Sequence, residues 1–374
     1  MPIEMTKGLK SISKVATVAI IIVIIVIAGV GGYYYYASTS SKVTPTPPPS
    51  KGTIKIALML AGVSNDLSWN QAGYSSAQAL VHELEAAGYN VTLSVSEGLY
   101  TSEEIQPAMQ TYASEGYTIV IGDGFQFTPV SINLASQFPN TAFLNIGGYQ
   151  SAPGVQTVIE DAGQLGFIMG ATAALLTHTG KVAIIGGEDV SEITWMTMGF
   201  QLGVAYINSN FNKNVSVITT FIGNFDDPAG ALSAGTAAAS QGADVLFCSG
   251  DGITEGVAQA AAQSNVMFLY CETNATAFAP ENTYGGMTLT FGPLLDQAVN
   301  NWIVNKTLQA NPYYATIANG GITLQLSSKV PANVSTIINT LYKNVGNNNI
   351  MIYYEASNGT MIYSPVTPPY SSLS

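Results

Sequence analysis

Residues Thr53 to Gly98 read TIKIALMLAGVSNDLSWNQAGYSSAQALVHELEAAGYNVTLSVSEG, and this stretch decides the fold. TIKIALML (53–60) is nearly continuous in apolar residues and short, the signature of a strand buried on both faces. SWNQAGYSSAQALVHELEAAG (68–88) predicts a helix that stops at Gly88. NVTLSVSEG (90–98) predicts a second strand. A strand, a helix and a strand in succession make a parallel pair with a right-handed crossover.

The same rhythm runs on in both directions of the argument. TIVIGDG (118–124) and TAFLNIGG (141–148) predict further strands, and KVAIIGGEDV (181–190) opens a second series. MTMGFQLGVAYINSN (196–210) follows as a helix, and VSVITTFIG (215–223), ADVLFCSG (243–250) and VMFLYCE (266–272) as strands. Two consecutive doubly wound units imply an α/β protein of two parallel-sheet lobes with a cleft between them. GGMTLTFGPLLDQAVNNWIVN (285–305) leads into a long helix expected to return to the first lobe. GITLQL (321–326) and MIYYEASNGTMIYSP (351–365) are expected to close the second lobe as strands. The expected division is 53–160 with 291–318 for lobe 1, 161–290 with 319–366 for lobe 2, and a tail at 367–374.

Ahead of the lobes, Val15 to Ala37 carries no charge and is long enough to span a bilayer as a helix. Lys7, Lys10 and Lys14 precede it, which places residues 1–14 on the cytoplasmic side and the lobes outside the cell membrane. Tyr33 to Tyr36 sit where an interfacial aromatic belt belongs. Residues 38–52, rich in Pro, Ser and Thr, form a stalk. Lys7-Gly8-Leu9 ahead of the apolar run resembles the class III, pilin-like signal of archaeal binding proteins, which implies cleavage after Gly8; an uncleaved anchor is the alternative. No lipobox cysteine is present. Six N-x-S/T sequons, at Asn90, Asn214, Asn274, Asn305, Asn333 and Asn358, are compatible with N-glycans on an external domain.

Composition removes several classes of function. With 11 basic residues against 23 acidic ones, the chain cannot cluster the positive charge that nucleic acid requires. Every basic residue is Lys, so the bidentate arginine clamp for phosphate is missing. A neutral, hydroxyl-rich or aromatic ligand is therefore expected. His82 and His178 lack neighbouring Cys or His at metal spacing, and no nucleophile elbow, zincin or P-loop motif occurs. No metal, cofactor or catalytic residue is assigned. Cys248 and Cys271 each close a predicted strand; a disulfide and two buried thiols are both open.

From Lys55 to about Pro365 the chain resembles the basic membrane protein family of ABC-transporter binding proteins, which includes purine nucleoside receptors. SNDLSWNQAGY (64–74), GFIMGATAALLTHTGKVAIIGGEDVSEITWMTMGFQLG (166–203), FIGNFDDPAGALSAGTAAASQGADVLF (221–247) and LYCETN (269–274) carry the resemblance. It implies the type I periplasmic-binding-protein fold with a hinge of crossing strands, a small-molecule ligand in the cleft, and a membrane permease as partner. By the resemblance Trp69 stacks on a ligand ring while Asp66 and Asn70 bond to it; a helix-capping aspartate and a core tryptophan are the structural alternative. Phe225 is the expected second aromatic, from the other lobe, or a ring packed under its own lobe. Glu272 and Asn274 stand where the family has two Asp residues. Trp195 and Glu192 stand where it has basic residues facing the cleft, and are otherwise plain helix residues. Asp123 and Asp251 follow strand ends, in loops that either point N–H groups at a ligand or serve turn chemistry. The family's pocket lysine is absent from TLTFGPLLD (288–296). The expected function is an ABC importer's extracytoplasmic solute-binding protein, not an enzyme, with a purine nucleoside as one candidate ligand. A membrane-anchored ligand sensor and a nucleoside hydrolase are the alternatives.

Overall fold

A computed structural model of the chain describes residues 51–355 and 361–363. The expected signal, membrane helix, nearly all of the stalk, the tail and the Asn358 sequon lie outside the described residues. No helix among the described residues is long and apolar enough to cross a membrane.

The first sheet is built from β1 (Thr53–Leu60), β2 (Asn90–Ser96), β3 (Ile119–Asp123), β4 (Ala142–Ile146), β5 (Val155–Glu160) and β11 (Tyr313–Ala315). Its order is β11-β5-β4-β3-β1-β2, parallel throughout. The second holds β6 (Lys181–Gly186), β7 (Ser216–Phe221), β8 (Val245–Ser249), β9 (Met267–Tyr270), β10 (Thr283–Leu289) and β12 (Ile322–Leu326), in the order β12-β10-β9-β8-β6-β7. Only β12 runs antiparallel in it.

Burial on both faces explains the apolar runs. In β1, Ile56, Leu58 and Leu60 join one core while Ala57 and Met59 join the core on the other face. The side-chain period of two in a strand does this sorting. The first of these faces is covered by α1 (Trp69–Ala86) and α8 (Gly292–Asn305), so the long helix does return to the first lobe. α2 (Ser102–Ser114) and α3 (Thr128–Ala135) cover the other face.

In the second lobe α4 (Ala162–Leu176) and α5 (Ser191–Phe211) pack on each other, with α6 (Pro228–Ser240) and α7 (Ile253–Ser264) on the opposite side of the sheet. Glycines make the α4–α5 contact possible. A Cβ on Gly170 would lie 2.0 Å from the Phe200 carbonyl oxygen, and one on Gly203 2.1 Å from that of Phe167.

The chain crosses between the sheets after β5, after β10 and between β11 and β12. These crossings bond to each other: Asp161 N–H donates to the Ala315 carbonyl at 2.8 Å, and Thr290 N–H to that of Gly321 at 2.9 Å. One expectation needs correcting, and one open alternative is decided. The 351–365 segment does not extend the second sheet; its β13 (Tyr353–Glu355) and β14 (Met361–Tyr363) pair with each other as a separate hairpin after α9 (Ala332–Gly346). Cys248 and Cys271 are free and buried. They sit on adjacent strand ends but face opposite sides of the sheet, one in each core, so no bridge can form.

Candidate ligand-binding cleft

The cleft lies at the C-terminal ends of both sheets, where parallel strands deliver their loops. Its residues come from the loops after β1, β2, β3, β7, β8 and β9 and from the first turn of α5. They line two adjoining chambers. The inner one, of about 50 Å³, is bounded by Trp69, Asp123, Phe125, Glu192, Glu272 and their neighbours. The outer one, of about 450 Å³, is bounded by Asp66, Asn70, Asn224, Asp226 and neighbours. Tyr100, Phe225 and Asp251 border both.

Asp66 organises the first lobe's share. One carboxylate oxygen accepts from the N–H groups of Ser68 and Gln71, at 2.9 and 3.0 Å. The other accepts from Asn70 N–H and from its side-chain amide, at 3.1 and 2.8 Å. Asp66 is thus the cap of α1, placed two residues ahead of Ser68, and its acceptor capacity is taken up there. Asn70 is equally engaged: its amide also donates to Asp251 at 2.8 Å and its oxygen accepts from Gly62 N–H at 2.9 Å. Both residues border the outer chamber, and they hold it in shape.

Trp69 is wedged in place. Its indole meets Phe291 edge to face at 5.6 Å, and its six-membered ring rests where a side chain on Gly147 would have to go. One edge remains at the inner chamber. Phe225 lies over Gly187, and its ring centroid is 6.4 Å from that of Phe125 across the cleft.

Several bonds tie the lobes together. Ser68, wholly buried, places its hydroxyl 2.7 Å from Glu272, 3.0 Å from the Gly250 carbonyl and 3.0 Å from the Thr254 hydroxyl. Thr273 donates back to the Ser68 carbonyl at 2.9 Å, and the Tyr100 hydroxyl donates to Glu188 at 2.9 Å. The molecule is therefore in a closed form.

Acid dominates the interior. Burial, then the charges of Asp66 and Glu272, push the Asp123 carboxyl well above the usual range. The Trp69 indole opposes that shift, yet neither Asp123 oxygen is in a well-formed hydrogen bond. Burial and the charge of Asp66 likewise push Asp251 up. Glu272 is raised to about 8 by burial, with the Ser68 hydroxyl working against it. Glu192 is pushed up by burial and by Glu160. Among the described residues no group of three or more His, Cys, Asp or Glu is arranged to hold a metal ion.

Most of the candidates meet here, and two do not. Trp195 belongs to the core of the second lobe, 1% exposed, because Glu192 and Ile193 take the turn of α5 that faces the cleft. Asn274 is exposed and bonds to Gln325 and to Thr276 N–H, outside both chambers. Asp226 and Asp227, adjacent in sequence, part company: Asp227 caps α6 through Gly230 N–H at 2.9 Å while Asp226 lines the outer chamber. Sequence reasoning missed Ser68, Tyr100, Phe125 and Glu160. The signal for Glu160 was the acid pair at the end of VQTVIED (155–161), an apolar strand that ends in charge.

Two lobes built on parallel sheets, with three crossings and a polar cleft between them, define the periplasmic-binding-protein fold. Residues 53–354 match the family described as ABC transporter substrate-binding protein PnrA-like, and the chain belongs to that family. It is 21% identical to basic membrane protein A of Borreliella afzelii over 325 residues, covering 81% of this chain and 92% of that one. It is 28% identical to the transcriptional activator protein med of Bacillus subtilis over 214 residues, 56% of this chain, and spans 63% of that relative's length. The nucleoside-binding protein BmpA of an ABC transporter of Lactococcus lactis is 24% identical, with 56% of this chain and 59% of that one covered. A solute-binding protein of an ABC transporter system from Aeropyrum pernix shares the fold with a TM-score of 0.66 at 16% identity, over 80% of this chain and 93% of that one.

Proposed function

We propose that the chain is an extracytoplasmic solute-binding protein of an ABC importer, tethered by its 15–37 segment, that captures a small ring-bearing molecule between its lobes. The observation that carries this reading is the cleft itself. An outer chamber of about 450 Å³ is bounded by both lobes and opens into a smaller pocket lined by aromatic and polar side chains. Phe225 and Phe125 come from opposite lobes and face each other across the cleft, so a ligand that touches both is gripped only when the cleft is shut. Ligand contacts to both lobes favour the closed form, and that shape is what a permease would recognise. The nucleoside-binding relative makes nucleosides the first class to try.

The test is thermal unfolding of the full chain in detergent against nucleosides, sugars, amines and amino acids, with the ligand recovered afterwards. A ligand at about a hundredfold its Kd adds roughly 2.7 kcal/mol to stability. The reading expects a shift with at least one class and that compound returned unchanged. Cleaved ligand would turn the assignment to a hydrolase. Ligand-induced closure without permease binding would favour a sensor, a role in keeping with the relative named as a transcriptional activator.

A further inference from the structure

The walls of the two chambers carry acid without base. Asp123, Glu192 and Glu272 line the inner one, Asp66 and Asp226 the outer, and Asp251 both; no Lys, Arg or His is among the residues lining either. Three of the second lobe's lysines are occupied elsewhere: Lys181 with the Gln241 carbonyl, Lys213 with those of Ala174 and Leu175, Lys329 with those of Pro280 and Glu281. Asp66 is spoken for by the start of α1. Asp123 is different. It is wholly buried, it lines the inner chamber, and the Trp69 indole approaches it without placing either of its oxygens in a well-formed hydrogen bond.

Buried polar groups are almost always paired, so an orphaned carboxyl on a cavity wall faces a partner that the chain does not supply. Trp69, Phe125 and Phe225 border the same pocket, and aromatic faces attract cations. At about 50 Å³ the inner chamber has room for a small head group, while a ring must stay in the outer one. The carboxylates do not converge as a metal-ligand set.

Taking the cleft as the ligand site proposed above, we infer that its ligand is an organic cation, whose protonated amine or quaternary ammonium group enters the inner chamber against Asp123 with Glu272, Glu192 and Asp251 around it. This departs from the neutral ligand that the lack of arginine suggested. Arginine's absence counts against a multiply anionic ligand, but it says nothing against a cation.

Without ligand, these carboxyls escape mutual repulsion by holding protons: Asp123, Asp251 and Glu192 well above their usual range, Glu272 up to about 8, and Glu160 behind Glu192 raised as well. Tyr100, bonded to Glu188 at the mouth, is pushed upward and stays neutral. An arriving cation displaces protons from the cluster. Binding therefore tightens as pH rises toward 8 and releases protons into the buffer.

The experiment is calorimetric titration of the full chain in detergent with matched pairs: choline against its uncharged isostere 3,3-dimethylbutanol, putrescine against butanediol, and 1-methyladenosine against adenosine. At least one cation should bind at least tenfold tighter than its neutral twin. Its affinity should fall at least tenfold in Asp123→Asn, and the heat should vary with the buffer's ionisation enthalpy. The wild-type pairs decide the matter even if that variant does not fold. A neutral member binding as tightly as its charged twin overturns the inference and leaves the solute-binding reading standing. So does unchanged cation affinity in folded Asp123→Asn. Calcium or magnesium binding lost in that variant overturns it in favour of an inorganic ion. Silence from every pair, and from the sugars and amino acids too, defeats both readings.

Discussion

With its hydroxyl 2.7 Å from Glu272 and 3.0 Å from the Gly250 carbonyl, Ser68 ties the first lobe to two strand ends of the second. Ser68→Ala would leave Glu272 buried without that bond, which costs about 1–3 kcal/mol. A drop of several degrees in Tm, with the fold retained by circular dichroism, is the expected outcome. Glu272 itself sits at φ 72°, a region that a residue with a side chain occupies only when its surroundings insist. Its carboxyl also sets a pH dependence. The folded value, about 8, lies above the unfolded one, so the folded state holds a proton that the unfolded state has released. Stability from this group is complete below the unfolded value and is lost as pH rises through 8, at up to about 1.4 kcal/mol per pH unit. Denaturant melts of the ligand-free chain from pH 5 to 8 should show this decline, and Glu272→Gln should flatten it. Asp66 and Asn70 border the outer chamber, yet what they do there was not legible in the sequence. Only the folded chain reveals that Asp66 spends both oxygens on α1 and that Asp123 faces the inner chamber without a well-formed hydrogen bond.

At the scale of elements, α5 matters because its first turn brings Glu192 and Ile193 to the inner chamber. Its position depends on backbone contact with α4, where Gly166 and Gly170 meet the carbonyls of Met196 and Phe200. Gly203→Ala would force a methyl group to within 2.1 Å of the Phe167 carbonyl oxygen, and the helices must part. A loss of about 1–3 kcal/mol is expected, read as a lowered midpoint in urea, with ligand affinity weakened through Glu192. The inner strands β3, β4 and β8 were legible because both faces are buried and the runs are apolar. VQTVIE (155–160) escaped because Gln156, Thr157 and Glu160 interrupt the apolar run, although all six residues are buried. The side chain of Gln156 is satisfied by the Asn311 carbonyl at 2.9 Å and by Gln309 N–H at 2.9 Å, long-range partners that no local pattern displays. The 351–365 strands were recognised as strands, but which sheet a strand joins is a matter of tertiary pairing.

As a whole molecule, the chain is a closed clamp with three crossings for a hinge. Opening requires breaking the Ser68, Asn70, Thr273 and Tyr100 bonds between lobes, all at the mouth or floor of the cleft. Ligand should therefore shift a population rather than create a new shape. Small-angle scattering is expected to show a smaller radius of gyration with ligand than without, and Ser68→Ala should widen the difference by loosening the unliganded form. The two-lobe plan followed from the order of strands and helices, whereas closure rests on contacts between residues about 200 positions apart. The most direct test of the central claim, that ligand is held between the lobes, is calorimetric binding of the full chain compared with Phe225→Ala. Phe225 borders both chambers and faces Phe125 from the opposite lobe. Saturable binding weakened by roughly tenfold or more, with the melting temperature of the ligand-free variant little changed, is the predicted result. Binding of equal affinity in the two proteins would contradict the account and place the ligand elsewhere.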